Sequence, residues 1–356
     1  MKVFKEEYMK LSPLNVTNTV SLTKGFLTLA PSLALLIGAS TAHAAWPEKV
    51  DFFGQVIFEA GYVSGVDYNS DVSSFDMTVY YLLLGMEAEL SDQVSATVSL
   101  LHEEDQTDFG LDEGFITLKP NDDFNFQLGQ LYLPFGQFNS LMVNYSYTYQ
   151  IARSLETAAV ANYDNELMSA SAYIFNGNVR EDAEQSADSY GFRFGLGEDT
   201  MHMNVDYISN IGDSDAFSGD ASGLNANEQL VGDLSDAMAV SGHAMFDQLS
   251  FDFEYFTALD DITTATAQFI QPSTLMLEAN YFIDNGCECR VGLGVHQAEE
   301  TQGLLPETRF SIGYTQPLLE LISMNVELFH DLDYDTNEGG TGDSSTGFFV
   351  DLIASF

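Results

Sequence analysis

Basic residues are scarce. The 356-residue chain holds 11 lysines and arginines against 54 aspartates and glutamates, a formal net charge of −43. That balance excludes nucleic-acid binding, which depends on basic patches. Cysteine is nearly absent too: only Cys287 and Cys289 occur, spaced C-x-C. Two cysteines make no disulfide framework, and one such pair falls short of the four ligands of a structural zinc site. The pair reads as a turn decoration in an oxidising compartment, bridged or not. Past the N-terminal region no run approaches the ~20 apolar residues of a membrane helix. The G-x-S-x-G, H-E-x-x-H and C-x-x-C motifs are missing, and no serine alternates beside His330, the only strand histidine on the apolar parity. An enzyme is therefore not expected.

What is present begins with an address. Lys2, Lys5, Lys10 and Lys24 precede an apolar run over 25–39, and Ala42-His43-Ala44 matches an A-x-A cleavage site. Residues 1–44 are expected to be a removed signal peptide; a start at Met9 would shorten its long basic region. The rest, 45–356, is expected to be one domain. Its acidic excess does not signal disorder, because the chain carries 27 Phe and 17 Tyr at regular spacing.

That spacing has period two and recurs to the last residue. Over 324–334, Met324, Val326, Leu328, Leu332 and Tyr334 share one face, and Asn325, Glu327, Asp331 and Asp333 the other. Phe251, Phe253 and Tyr255 alternate with Asp252 and Glu254; Tyr190, Phe192, Phe194 and Leu196 alternate with Gly191, Arg193 and Gly195. A soluble sandwich also alternates. Two details favour a membrane barrel: the apolar faces carry large residues end to end, and very short connections (91–92, 197–198, 247–248) take turns with long acidic ones (62–74, 177–187, 210–235, 259–271, 335–345). Strands are expected at 50–62, 75–90, 93–103, 111–119, 123–133, 155–163, 167–176, 188–197, 200–209, 236–246, 248–258, 273–283, 288–297, 307–316, 322–333 and 346–356. The even number suits a single-chain bacterial barrel, and 155–163 is accepted partly for that parity. The fold expected is all-β, a transmembrane antiparallel barrel of sixteen strands in a Gram-negative outer membrane. The chain ends with Phe348, Val350, Leu352, Ala354 and Phe356 on one face, similar to the assembly signal of outer-membrane proteins.

With the large apolar parity facing lipid, the other lines a lumen. It carries Glu59, Glu87, Glu89, Asp206, Asp252, Glu254, Glu278, Glu327, Asp331 and Asp333, with Arg193, Arg290 and Arg309. Acidic rings favour cations, and a basic cluster adds a transverse field; the alternative is a solvated lining with no selectivity beyond charge. His202, His243 and His296 lie on separate strands and read as polar filler, not a metal site. Asp331, Asp333, Asp335 and Asn337 space like the start of a calcium loop, but Thr336 stands where the glycine belongs and Gly342 where the final acid belongs. No cofactor is expected, calcium at this acidic loop being the alternative.

One stretch breaks the regularity. After Pro134-Phe135-Gly136 some twenty residues rich in Tyr, Asn, Ser and Gln do not alternate, and a long polar-aromatic loop among hairpins usually has a function. Residues 134–154 are expected to fold into the lumen and narrow it. Tyr145, Tyr147 and Tyr149 would pack on the wall, Arg153 would pair with a lumen carboxylate, and Glu156 would follow at the next strand. A loop lying outside on the rim is the alternative.

Around this stretch, Gly129, Tyr132, Pro134, Phe135, Gly136, Glu156 and Thr157 match a motif: a strand ending G-x-x-Y-x-P-F-G, a loop, then a Glu-Thr segment. These roughly fifty residues resemble the LbtU family of siderophore porins. The wider relatives are sixteen-stranded phosphate-selective porins, which share an F-N-G strand end, here Phe175-Asn176-Gly177. The resemblance implies TonB-independent passage of a ferric siderophore; without a Lys/Arg ladder, phosphate selectivity is not implied. The function expected is passive uptake of a small polar solute, such as a ferric siderophore. The alternative is a non-conducting acidic barrel acting as adhesin or structural protein. Expected partners are outer-membrane lipid and lipopolysaccharide, the barrel assembly machinery and the solute, with a homotrimer one assembly open to it.

Overall fold

The structure is a computed structural model, and it describes residues 49–69, 71–104, 107–177, 187–218, 235–263, 268–283, 288–301 and 303–356. The expected signal peptide and Cys287 lie outside the described residues; Cys289 is disulfide-bonded.

The first strands are β1 (Lys49–Ser64), β2 (Ser73–Ser91), β3 (Val94–Glu103), β4 (Thr107–Leu118), β5 (Phe124–Tyr132) and β6 (Leu155–Asp164). They are followed by β7 (Met168–Phe175), β8 (Ser189–Glu198), β9 (Met201–Ile208), β10 (Ala237–Phe246) and β11 (Leu249–Ala258). A two-residue ribbon, β12 (Ile262–Thr263) with β13 (Gln268–Phe269), decorates the next connection. The last five are β14 (Ser273–Ile283), β15 (Cys289–Glu299), β16 (Thr308–Leu319), β17 (Ile322–Leu332) and β18 (Ser344–Ser355). All but β12 and β13 pair with their sequence neighbours into one closed antiparallel barrel of sixteen strands. The doubtful 155–163 is β6, paired on both sides. Closure joins β1 to β18 from Gln55↔Ser355 to Ser64↔Thr346. Gly54 and Phe356 then exchange two backbone hydrogen bonds, of 2.8 and 3.0 Å.

Alternation sets what each face meets. Phe192, Phe194 and Leu196 are 51, 47 and 51% exposed while Gly195 between them and Gly191 beside them are buried. An apolar belt of this kind around the whole wall would aggregate in water, and it is what a bilayer solvates. In β2 the parity changes partway: Phe75, Met77 and Val79 face out, then Leu84, Met86 and Leu90. The register against β1 shifts between Ile57 and Phe58, so an extra residue in β2 flips every later side chain.

Connections near 92–93, 165–167, 199–200, 247–248 and 320–321 are tight and define one rim; the long ones occupy the other. The buried apolar core is not in the wall. It lies inside the barrel towards the long-loop rim, where Phe135, Tyr147, Ile151, Ile211, Phe217 and Leu305 from loops meet Phe175, Ile208 and Phe256 from strands. Two short helices belong to it: α1 (Tyr147–Ala152) and α2 (Asp215–Ser218). Helix α1 starts where Ser146 Oγ accepts the Tyr149 N–H at 3.1 Å, and its i, i+4 pair Tyr147 and Ile151 is buried.

Two residues expected on strand faces leave the strand instead. Tyr334 was expected among the lipid-facing residues, but β17 stops at Leu332, and the Tyr334 ring turns in, 4% exposed, to donate to the Ala298 carbonyl at 2.6 Å. Asp333 was expected in the lumen; it sits in the loop and accepts from Thr341 N–H and Oγ1 at 2.7 and 2.8 Å.

Candidate functional site

The site is the segment between β5 and β6. β5 ends after Gly129, whose φ of +141° only glycine holds without strain, and Tyr132 donates through its hydroxyl to Asp112 at 2.8 Å. Pro134 and Phe135 follow, with Phe135 buried edge-on against Phe256, and Gly136 at φ +75° turns the chain across the lumen.

From there the wall takes hold of the loop through carboxylates. Asp206 on β9 accepts the Gly136 N–H at 3.0 Å. Glu254 on β11 accepts those of Gln137 and Phe138 at 2.7 and 3.0 Å. Glu278 on β14 accepts Ser140 Oγ and the Leu141 N–H at 2.5 and 3.0 Å. Glu327 on β17 accepts the Asn144 N–H and Nδ2 at 2.6 and 3.1 Å. Bonds to an ionised acceptor are about twice as strong as neutral ones, so four such grips offset a large part of the entropy of a free loop. Glu254, Glu278 and Glu327, expected to line the lumen as part of a cation-favouring acidic set, spend their oxygens on the loop. Alternation places these groups inside; it carries no information about what fills the interior.

The lumen arginines are committed likewise. Arg193 holds Asp206 in a fork, at 2.8 and 3.0 Å, and also donates to the Gly136 carbonyl. Arg309 holds Asp331 through two bonds of 2.7 Å, with its guanidinium 5.6 Å from the Tyr147 ring. Asp331 and Asp333 thus spend oxygens within the protein, and among the described residues no three His, Cys, Asp or Glu are grouped to hold a metal. Arg290 lies at the short-turn end, its guanidinium 4.6 Å from the Phe282 ring.

Arg153 ends the loop. Its Nη2 meets Glu103 Oε2 at 3.2 Å on the wall, its Nε meets Asp215 of α2, and its Nη1 meets the Tyr149 hydroxyl. The guanidinium also lies 4.8 and 5.4 Å from the Tyr149 and Tyr132 rings. Burial acts to lower its pKa, but Tyr149, Tyr132, Asp215 and Glu103 carry it the other way, well above its ordinary range. One wall carboxylate was expected here; the structure supplies that and a second from another loop. Sequence gave no sign of Glu103 or Asp215, since neither falls in a motif. Tyr145 stacks on Tyr149 at 4.1 Å, and burial pushes the Tyr147 hydroxyl pKa up. Glu156 is buried on β6, while Thr157 is exposed.

The histidines also contact this machinery. His296 is fully buried, with Nε2 at 3.3 Å from Glu278 and Tyr147 against its edge. His243 Nδ1 lies 2.8 Å from Asp252, and its ring stacks on His202 at 5.5 Å. His202 Nε2 is 2.5 Å from Gln137 Nε2, and Gln137 Oε1 is taken by Asn204 and Ser241 at 2.8 and 3.1 Å. That fixes the amide with its nitrogen toward His202, so His202 accepts the bond and is neutral at Nε2.

The loop does not fill the lumen evenly. Between its 143–153 stretch and the wall of β1, β2 and β18 lies a cavity of about 270 Å³, bordered by Glu59, Tyr80 and Phe349 on the wall side.

No protein-family model matches the chain. It is similar to the UPF0422 protein of Coxiella burnetii, 24% identical over 314 residues, 82% of this chain and 65% of that one. It is also similar to the UPF0422 protein lpg2959 of Legionella pneumophila, 22% identical over 79% of this chain and 59% of that protein. The chain thus spans less than two-thirds of the length of these relatives. Among solved structures, the anion-selective porin from Comamonas acidovorans superposes with a TM-score of 0.63 at 12% identity, over 86% of this chain and 99% of that one. OmpF of Salmonella typhi gives 0.61 at 13%, over 86% and 98%. The channel DcaP of Acinetobacter baumannii gives 0.59 at 10%, over 86% and 97%. Closed strand order, apolar outer belt and these superpositions agree: the chain is a closed sixteen-stranded antiparallel β-barrel of the fold seen in outer-membrane porins.

Proposed function

We propose that the chain is a passive diffusion channel, not an enzyme, that passes small polar solutes and prefers cations. The observation carrying this is the loop 133–154, held across the lumen by Asp206, Glu254, Glu278 and Glu327 and leaving its free space beside Glu59. A loop anchored at mid-barrel sets pore size, and the charge left beside the gap sets preference. Drug-sized ligands occupy roughly 300–1,000 Å³. A gap of about 270 Å³ therefore favours a solute smaller than the ferric siderophore that the LbtU resemblance suggests. Siderophore passage would require the loop to move.

A second reading has its own support. The apolar core of α1, α2 and Leu305 fills much of the long-loop half, as a sealed barrel acting by its surface would. Planar-bilayer recording separates the two: discrete steps in potassium chloride, with a reversal potential favouring potassium, support the channel. Silence at every voltage supports the sealed barrel. A neighbouring structure is the trimer form of OmpT of Vibrio cholerae. A homotrimer is carried here as a proposal, to be tested by cross-linking in membranes.

A further inference from the structure

The gap beside the loop has an unbalanced chemistry. Glu59 on β1 and Asp351 on β18 are direct register partners facing the lumen, so their carboxylates stand side by side. Like charges directly opposite on paired strands are destabilising. Asp351 is 5% exposed, and its Oδ1 is buried with no hydrogen-bond partner. Glu104, whose backbone N–H donates to the Tyr80 carbonyl at 2.9 Å, has a buried and unpartnered Oε2 as well. Among the described residues, Arg153 is the one basic side chain bordering the cavity, and it is committed to Glu103 and Asp215. A buried carboxylate oxygen left without a donor is destabilising, so such a group in a native protein calls for an occupant.

The other walls of the cavity say which occupant. Tyr80 and Phe349 border it from the barrel, Tyr145 and Tyr149 from the loop. The two loop rings stack at 4.1 Å and 26°. Aromatic faces attract a cation through the ring quadrupole, most strongly one with a thin hydration shell, and rings around a carboxylate are the way proteins recognise alkylammonium groups. A hydrated sodium ion gains from the carboxylates but little from the rings. Tyr149 already carries the Arg153 guanidinium at 4.8 Å, an internal example of the same contact.

We propose that this cavity is a binding station for small organic cations with an alkylammonium head, held by the rings of Tyr80, Tyr145, Tyr149 and Phe349 and by Glu59, whose cross-strand neighbour Asp351 adds its charge from behind the lining. It deepens the channel reading by naming the solute class, and rests on that reading only for the idea that the cation passes through.

The test measures binding separately from conduction. Purified barrel in detergent is titrated calorimetrically with choline, with sodium chloride as the charge-only control, for wild type, the double variant Glu59→Gln/Asp351→Asn, and Tyr145→Leu. Choline binding should weaken by roughly tenfold or more in both variants, and the double variant alone should reduce any sodium effect. Folding is verified for each by heat-modifiable gel mobility. Absence of choline binding to wild type, equal binding in all three proteins, or equal competition by sodium would each overturn the proposal. Should the double variant fail to fold, Tyr145→Leu, which leaves the wall intact, decides alone. Potassium steps in a bilayer without choline binding would leave the channel and remove the station. Choline binding without steps would keep the station and remove the channel.

Discussion

Glu254 offers the sharpest test of how the loop is held. It is fully buried and accepts two backbone N–H groups, from Gln137 and Phe138, at 2.7 and 3.0 Å. Glu254→Gln keeps the shape but exchanges one acceptor oxygen for an NH₂ group, so one loop N–H then faces a donor. Losing a charge-assisted bond costs roughly 1.5–3 kcal/mol, and a buried donor without a partner adds about 1–3 kcal/mol. Burying a neutral amide in place of a carboxylate returns part of this. A net weakening of about 2–4 kcal/mol shifts the seated-to-released ratio by roughly 30- to 700-fold, at 1.4 kcal/mol per factor of ten. Single-channel recording should then show a larger conductance level that is rare in wild type and visited often in the variant. Glu254→Leu, which leaves both N–H groups unsatisfied, should show it more. Gel mobility should report an intact barrel in both, because the wall pairing is untouched. If both variants keep the wild-type conductance distribution and the same protection of residues 137–150 from proteinase K, the carboxylates do not hold the loop.

Further outcomes follow from neighbouring contacts. Arg153→Ala strands Glu103 and Asp215 without their cation and should lower thermal stability by about 3–5 kcal/mol, the usual cost of breaking a buried pair, read as a drop in the unfolding midpoint. Over the acidic range that protonates His202, its new N–H is set against the Gln137 amide nitrogen, so loop fluctuations should rise there. His243 on β10, Asp252 on β11 and Asp199 in the adjoining turn also face His202 and tune where this happens. His202→Gln, able to accept at any pH, should flatten current noise over that range, and unchanged noise would refute the latch. Gly129→Ala places a methyl 2.7 Å from Phe115 Cα at a φ of +141°, and should cut the yield of folded barrel in refolding assays.

The wall was legible because each strand has lipid on one side and polar interior on the other, so the period-two signal repeats with no help from distant residues. The loop was legible as an interruption of that signal. What the sequence hides is anything set by packing within the lumen. Val79-Tyr80-Tyr81-Leu82-Leu83-Leu84 is apolar on both parities, so the change of face in β2 leaves no trace in the pattern. Helix α1 is six residues long, shorter than the two turns a helical period needs to show itself. Glu327 and Asp351 look alike along the chain, both inward-facing acids. One ends on Asn144 and Ser311, the other without a donor for Oδ1, and only the folded loop makes that difference.

The way the wall grips the loop has a consequence for how such a channel can change. Gly136, Gln137, Phe138, Leu141 and Asn144 are all held by their backbone N–H groups, a feature that every residue but proline supplies. The anchor therefore reads the course of the chain more than its letters. Side chains pointing from the loop into the gap are free to drift while the fastening stays. A lineage could retune what its barrel admits, ring by ring and charge by charge, with no return through an unfastened intermediate. The wall carboxylates would be the slow-changing part and the pore lining the fast one.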